Sequence, residues 1–293
     1  MSWWVVVNPA AGRGKDLGER VATALTAHGI AHDVRVSPSA DSVADVVEEG
    51  AANGFTNFAS VGGDGMANLV LNGLMARDWG TPPTLAILPA GSGSDFIRTF
   101  GLPRRLEDAV THLIDEERYP TDVGLIEGAF GSRHFLNAAN VGIAARSAHM
   151  AARLPDRLGT ARYTIAFWMA LPGFPSADVH VEVDGKSIGG DLMNVVIANG
   201  QFFGGGLNVA PRATVMDGLL DVQMFAGPRR NAPAIMTRML RGTHLSHRAV
   251  RRREGATIRV ECPESWPVEA DGEVLGTGPV TVRTLHRAIQ FKI

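Results

Sequence analysis

The 293-residue sequence has one cysteine, almost no net charge and no long apolar run. The single cysteine, Cys262, excludes an intrachain disulfide and indicates a reducing compartment. A formal net charge of −2 gives no overall field that would attract nucleic acid. The most membrane-like stretch, TIAFWMALPGF, is shorter than the ~20 residues that span a bilayer, and the N-terminus lacks the features of a signal peptide. We therefore expect a cytoplasmic protein with peripheral membrane contact at most.

Strand-like and helix-like patterns alternate through the first third of the chain. A continuous apolar run predicts a strand over 3–7, and shorter strand-like segments follow over 33–36, 55–61 and 85–88. Helix-like segments fall between and after them, over 14–28, 41–53, 66–77 and 95–100. Such alternation is typical of a parallel sheet with helices on both faces. Ligands of these sheets bind at the carboxyl ends of the strands.

After about Pro120 the pattern changes to short strands separated by turns, including three Asp-Gly pairs. This predicts a β-rich second domain of sandwich or barrel type. Helical patterns interrupt it over 144–171 and 232–240. We predict a first domain over 1–121 and a second over 122–283.

Three glycine-containing loops, NPAAGRGK, GGDG and AGSGSD, follow predicted strands at the same sheet edge. Glycine lets backbone N–H groups approach a ligand, and a following helix N-terminus favours an anion such as phosphate. A tight strand-to-helix turn would also use glycine. Neither the P-loop pattern nor the dinucleotide pattern G-x-G-x-x-G is present, because Gly14-Lys15 precedes Asp16 and the other loops lack the last glycine.

Seven motifs in order along the chain resemble the soluble bacterial diacylglycerol kinase family, which shares its catalytic domain with sphingosine and ceramide kinases. They are VVVNPAAGRGK, SVGGDGMANLVLNGL, LAILPAGSGSDFIRTFGLP, TDVGLIEG, FLNAANVGIAA, NGQFFGGGLNVAPRATVMDGLLDV and VEADGEVLGTGP. The resemblance implies a three-layer α/β nucleotide-binding domain like those of NAD kinases and phosphofructokinases, followed by a β-sandwich domain. It also implies that 284–293 return to the first domain.

The same resemblance implies an ATP site in the first domain. Its expected phosphate-binding residues are Gly62, Gly63, Asp64 and Gly65, with a second glycine loop at Gly91, Ser92 and Gly93. Asn8 and Ser37 fall where the family contacts nucleotide. Met66 and Ser94 depart from the family pattern, which has threonine and asparagine there.

Three Asp-Gly pairs offer a carboxylate that could accept the proton of an attacking hydroxyl: Asp184, Asp217 and Asp271. The residues alone leave a plain hairpin turn open for Asp184 and Asp271. Glu273 adds a second carboxylate beside Asp271, and the resembled family carries its base in this D-G-E. We predict Asp271 as the general base, supported by Glu273.

Asp217 and Asp221 resemble the family's structural magnesium site, although Met216 replaces its first acidic residue. Asp122 matches a position that links that metal network to the active site in the family. The resemblance implies ATP as substrate, and the chemistry of phosphoryl transfer from ATP predicts Mg²⁺ as cofactor.

A lipid acceptor needs an apolar pocket and a membrane contact. Candidate lipid contacts are Phe167, Trp168, Met169 and Leu171, although large apolar residues at helical spacing usually form core. The arginines between 229 and 253 form a basic stretch that would favour an anionic membrane surface, and a solvated basic face is the alternative: Arg229, Arg230, Arg238, Arg241, Arg248, Arg251, Arg252 and Arg253.

These features predict an ATP-dependent lipid kinase that phosphorylates a diacylglycerol-like hydroxyl to give phosphatidic acid. Two alternatives are open: the same fold acting on a sphingoid base or other amphiphile, and a degenerate member that binds nucleotide or lipid without turnover. No nucleic-acid partner is expected, since no aromatic residues interleave the arginines. The sequence leaves a homodimer open.

Overall fold

The computed structural model describes residues 1–8, 17–90 and 94–293. The chain forms two compact units. One consists of Met1–Thr121 and Arg287–Ile293, and the other of Asp122–His286.

The first unit is a parallel sheet with helices. Its elements are β1 (Ser2–Val7), α1 (Leu17–Ala27), β2 (Ala31–Val36), α2 (Val43–Ala52), β3 (Asn57–Gly62), α3 (Asp64–Met75), β4 (Thr84–Pro89) and α4 (Leu106–Ala109), with 3₁₀ turns at Phe96–Phe100 and Val110–Leu113. The strand order is β4-β3-β1-β2, and every neighbouring pair is parallel. All four strands therefore end at one edge of the sheet.

Mostly apolar sequence accounts for three of the four strands, β1, β3 and β4. Five consecutive residues of β1 are fully buried, and all six residues of β3 and of β4 are buried. Strands covered on both faces require such runs rather than alternation. On α1, Leu17, Val21 and Leu25 face the core at the spacing predicted for a helix.

The second unit is mainly antiparallel. Its strands are β5 (Arg118–Gly128), which begins in the first unit, β6 (Gly131–Phe135), β7 (Ala138–Gly142), β8 (Ala177–Val183), β9 (Lys186–Ala198), β10 (Phe202–Phe203), β11 (Leu207–Asn208), β12 (Leu220–Ala226), β13 (Val250–Gly255), β14 (Thr257–Glu261), β15 (Pro267–Ala270), β16 (Glu273–Thr277) and β17 (Val280–Lys292). The long β9 pairs with β8 along its first half and with β7 and β12 along its second. The last residues of β17 return to the first unit, where they pair in parallel with β4.

The strands of the second unit enclose a large apolar core, which includes Val141, Val195, Ile197 and Val222. The predicted α/β domain followed by a β-sandwich is confirmed. Helices α5 (Ile143–Ala151), α6 (Ala161–Ala170) and α7 (Ala232–Met239) accompany the sandwich.

The helical region predicted over 144–171 is two helices rather than one. The intervening residues include Pro155 and Gly159, and Gly159 has φ +53°. Proline removes a backbone donor and this φ is left-handed, so neither residue continues a helix. Within the described residues, no helix has both the length and the apolar character needed to cross a bilayer.

Gly50 of α2 lies against the Trp4 ring, and a Cβ there would come within 2.7 Å of two ring atoms. The ring is fixed, because Trp4 is fully buried and its Nε1 donates to the Val46 carbonyl at 2.9 Å. We expect Gly50→Ala to destabilise the protein by about 1 to 3 kcal/mol through overpacking. Urea unfolding measures this, with Gly80→Ala as control because a Cβ at Gly80 meets nothing within 4 Å. Equal stability of the two variants would contradict the packing argument.

Candidate active site

The junction between β3 and α3 places three glycines at the start of a helix. Gly62 ends β3, Gly63 is extended with φ −100°, and α3 begins at Asp64. None of the three glycines has a positive φ, and a Cβ at Gly65 would meet no atom within 4 Å. Turn conformation and packing therefore do not explain Gly65. Its missing side chain leaves room beside the helix N-terminus, where N–H groups and the helix dipole favour an anion.

Asp64 connects this junction to the segment after β4. Both of its carboxylate oxygens lie 2.9 Å from the backbone N–H donor of Asp95, and Oδ1 also accepts from the Phe96 N–H at 3.3 Å. The predicted second loop, Gly91, Ser92 and Gly93, lies outside the described residues. Asp64 thus fixes the chain directly after that loop.

Asn8 and Ser37 lie at the same edge of the sheet, after β1 and β2. The Asn8 N–H donates to the Val61 carbonyl at 3.4 Å, and the Ser37 N–H donates to the Val7 carbonyl at 2.9 Å. Ser37 is 1% exposed, and its hydroxyl donates to the Ser39 carbonyl at 2.6 Å. The structure therefore brings Asn8 and Ser37 to the edge that carries the β3–α3 junction, and it uses the Ser37 hydroxyl within a local turn.

Asp271 occupies the two-residue turn between β15 and β16. Asp271 has φ +48° and Gly272 has φ +89°, as a tight hairpin of the Asp-Gly type requires. The Asp271 carboxylate accepts backbone N–H groups from three consecutive residues: Leu136 at 2.7 Å, Asn137 at 2.9 Å and Ala138 at 3.1 Å. Three donors hold this carboxylate in one orientation.

The Asp184 hairpin repeats this arrangement. Asp184 has φ +46°, and its carboxylate accepts the N–H groups of Ala256 and Thr257 at 2.9 to 3.1 Å. Docking of an Asp-Gly turn onto a neighbouring strand is therefore a structural device in this protein. It does not by itself distinguish Asp271 as catalytic.

Glu273 pairs with a cation rather than with Asp271. Its Oε2 lies 2.5 Å from an Arg133 guanidinium nitrogen, and its side chain is 53% exposed. The predicted support of Asp271 by Glu273 stays a prediction.

The sequence analysis missed Glu269, which is 5% exposed on β15. Glu269 Oε1 accepts the Gly272 N–H, and Oε2 accepts from Asn140 Nδ2 at 2.8 Å. Burial, together with the charge of Asp271, raises the pKa of Glu269 to about 7. The signal was a glutamate two residues before Asp-Gly, but strand alternation alone indicated a solvent-facing side chain.

Asn199 was also missed. It is fully buried, and its Nδ2 donates to the Asp122 carbonyl at 2.8 Å and to the Leu136 carbonyl at 2.7 Å. Asp122 is fully buried as well, and its carboxylate accepts the Gly218 N–H at 2.7 Å and lies 2.9 Å from His286 Nδ1. Asn199 therefore joins Asp122, within β5, to the segment whose backbone N–H groups hold Asp271.

The two predicted magnesium ligands, Asp217 and Asp221, differ from each other in exposure and in hydrogen-bond partners. Asp217 is exposed, and its Oδ1 accepts the Leu219 N–H at 3.0 Å. Asp221 is 2% exposed, forms a salt bridge with Arg252 and accepts from Gln223 Nε2 at 2.8 Å. Burial raises the pKa of Asp221, while the bonds from Gln223 and Arg252 oppose that shift.

Asp221 does not fit a magnesium ion, because a guanidinium already lies on its carboxylate. Across the described ranges, no group of three or more His, Cys, Asp or Glu side chains is arranged to hold a metal. Asp217 as a ligand stays a prediction.

The candidate lipid contacts on α6 separate into two sets. Phe167 and Leu171 pack against the sandwich core, whereas Trp168 is 40% and Met169 54% exposed. The Arg229 guanidinium donates to the Pro172 carbonyl, just beyond α6.

A glycine-lined helix N-terminus at the edge of a parallel sheet is typical of proteins that bind phosphate. The diacylglycerol kinase catalytic domain family matches residues 2–126, and the YegS C-terminal NAD kinase beta sandwich-like domain family matches residues 137–292. The chain belongs to the diacylglycerol and lipid kinase family, and it is a kinase that uses ATP.

Individual relatives agree with this assignment. A diacylglycerol kinase of Bacillus subtilis is 27% identical over 97% of this chain and 94% of its own length. A Pseudomonas aeruginosa protein named "Probable lipid kinase YegS-like" is 32% identical over 89% of this chain and 86% of its own length. A crystal structure of a diacylglycerol kinase from Bacillus anthracis has 21% identity and a TM-score of 0.74 over 99% of this chain and 96% of that chain, which shows the shared fold.

The buried Glu269 predicts a pH dependence of stability. Its pKa rises from 4.5 to about 7 on folding, so the folded protein holds a proton that the unfolded chain releases. The protonated Glu269 side chain therefore makes its full contribution to the free energy of unfolding below the pKa of the unfolded chain. This contribution is lost as the pH rises through the pKa of the folded protein, and it amounts to about 3 kcal/mol at most. We expect the wild type to lose stability relative to Glu269→Gln between about pH 5 and about pH 8 in urea unfolding. A difference that stays constant over this range would contradict the burial of this carboxyl.

Proposed function

We propose that the protein transfers the γ-phosphate of ATP to the free hydroxyl of diacylglycerol and thereby forms phosphatidic acid. The observation that carries the proposal is the β3–α3 junction, where Gly65, which neither turn conformation nor packing explains, lies in the first turn of a 12-residue helix. The names of the relatives support a lipid acceptor, and that of the Bacillus subtilis relative supports diacylglycerol.

We assign phosphate binding to the first unit. The backbone N–H groups at the start of α3 would contact the ATP phosphates, and Asp64 would hold the chain after the second glycine loop in place through Asp95 and Phe96. Magnesium that accompanies ATP would neutralise the charge of its phosphates. We propose no ligand for this ion among the described residues.

We assign proton acceptance to Asp271 in the second unit. Phosphoryl transfer forms a bond from the lipid oxygen to the γ-phosphorus, breaks the bond to ADP and releases the hydroxyl proton. Asp271 would accept this proton, and the three N–H groups at 136–138 would keep its carboxylate in a fixed position for that step.

We further propose that the sandwich unit contacts an anionic membrane through α6. Ile165, Trp168 and Met169 are exposed apolar side chains of this helix, and Arg229 lies against the residues that follow it. Arg252 contributes less than the sequence suggested, because its charge is neutralised by Asp221 and Glu254. Exposed aromatic and apolar groups beside arginines suit a bilayer with anionic headgroups.

Asp271→Asn tests the chemistry. We expect its turnover to fall by about 100-fold or more, because an amide cannot accept the proton, while ATP affinity stays near that of the wild type. The variant should fold with a somewhat lower thermal stability, because the amide nitrogen cannot accept the backbone N–H that one carboxylate oxygen accepts in the wild type. The assay follows transfer from labelled ATP to diacylglycerol, monoacylglycerol, sphingosine, ceramide and phosphatidylglycerol in mixed micelles, and ATP binding is measured by calorimetry.

Asp184→Asn is the matched control, because it changes the same residue type in the same kind of docked Asp-Gly turn. Its turnover is expected to equal that of the wild type. Equal turnover of Asp271→Asn and the wild type would exclude Asp271 as the base. Label on sphingosine alone would replace diacylglycerol as the acceptor, and binding of ATP without label on any lipid would support the degenerate alternative.

The membrane proposal predicts a loss of vesicle binding in the double variant Arg229→Gln, Arg230→Gln. Two charges at about 1 kcal/mol each correspond to an affinity about 30-fold lower for phosphatidylglycerol-containing vesicles. Sedimentation measures binding, with pure phosphatidylcholine vesicles for comparison. The exposed pair Arg104 and Arg105 also follows a proline, so Arg104→Gln, Arg105→Gln is the matched control. An equal loss in both double variants would show a net-charge effect and contradict the proposed surface.

A further inference from the structure

The hairpins at Asp184 and Asp271 share the same turn and differ in the residue two positions earlier. Both are two-residue loops, flanked by the pairs Val183–Lys186 and Ala270–Glu273. In both, the N–H of the aspartate also donates to the neighbouring strand, at 2.9 Å in each case. The preceding glutamates differ, because Glu182 is exposed on β8 whereas Glu269 is buried on β15.

Glu269 is buried because β15 is covered on both sides. Val268 and Ala270 are fully buried in the sandwich core, and Glu269 pairs directly across from Asn140 on β7. Asn140 is itself 2% exposed and donates its amide N–H to Glu269. A carboxylate in such surroundings is costly, and an apolar side chain of similar size is often equally stable or more stable. Stability alone therefore does not account for a glutamate here.

The contact that only Glu269 supplies is the one to Gly272. Its second oxygen accepts the N–H of Gly272, the residue that completes the Asp271 turn. The Asp271 side chain is thus fixed by the N–H groups at 136–138, and the backbone of its turn is fixed by Glu269. A turn residue with positive φ has few alternative conformations when both sides are fixed.

We propose that Glu269 is a positioning residue for Asp271: by binding the Gly272 N–H, it keeps the Asp271–Gly272 turn in the conformation in which Asp271 accepts the lipid hydroxyl proton. This inference rests on the proposed function of Asp271. It assigns Glu269 no contact with ATP or lipid.

Glu269→Met tests the proposal, because methionine fills the buried volume but cannot accept the Gly272 N–H. We expect kcat to fall about tenfold or more with the KM for ATP changed by less than about twofold, since transition-state alignment is lost and nucleotide binding is not. Thermal stability should stay close to that of the wild type, because removal of a costly buried carboxyl offsets the loss of the acceptor for the Gly272 and Asn140 N–H groups. A purely structural role for Glu269 predicts no such separation of activity from stability.

Glu269→Gln is the rescue variant. Its amide oxygen can accept the Gly272 N–H, and its amide nitrogen can donate to Asn140 Oδ1, which has no hydrogen-bond partner within the described part of the chain. We expect its kcat to recover to within about threefold of the wild type. Glu182→Met, at the equivalent exposed position of the other hairpin, should leave kcat unchanged.

Asp271→Asn, assayed beside these variants, separates this inference from the proposed base. A large loss in Asp271→Asn with wild-type kcat in Glu269→Met would overturn the positioning role alone. Full activity in Asp271→Asn would overturn the base and with it the positioning role. If Glu269→Met did not fold, Asn140→Ala would decide, because it removes the bond from Asn140 to Glu269 and keeps the Glu269 carboxyl. Wild-type kcat in Asn140→Ala, together with a tenfold loss in Glu269→Gln, would assign the effect to the charge of Glu269. That result would contradict positioning by hydrogen bonds.

Discussion

Backbone N–H groups at the ends of strands need acceptors when they are withdrawn from water, and in this protein aspartate carboxylates repeatedly provide them. Asp64 accepts the N–H of Asp95, Asp122 that of Gly218, and Asp271 those of 136–138. Each bond joins segments that are distant in sequence. The carboxylates that the family motifs mark as functional are therefore also structural, and their positions are fixed before any ligand binds.

Because these carboxylates have a structural role, their order alone does not show which aspartate is catalytic. Asp184 docks in the same way as Asp271, so a well-ordered carboxylate with several N–H donors is not evidence of catalysis. The surroundings differ: Asp271 has the buried Glu269 below its turn and Glu273 paired with Arg133 beside it. A cluster of ionisable groups around one turn is a stronger indication of a functional site.

The side chains that the resemblance predicted as a magnesium network have other partners in this structure. Met216 replaces an acidic residue, and the neighbouring Asp221 is neutralised by Arg252. Asp122 binds Gly218 and His286. The Arg252 guanidinium therefore contacts Asp221, and the His286 imidazole contacts Asp122. Both carboxylates were connected with magnesium from the sequence, and in the structure hydrogen bonds order the segment around Gly218.

The sequence by itself determined the order of elements, the two-part architecture and the glycine-rich junction after β3. Apolar runs and glycines are local signals, and seven motifs in order identify a family. Only the tertiary structure decided which carboxylates are buried and what they contact. Glu269 and Glu182 precede Asp-Gly with the same spacing, and pairing with β7 buries Glu269 while Glu182 stays exposed. Burial and partner choice depend on strands distant in sequence, and local patterns do not encode that pairing.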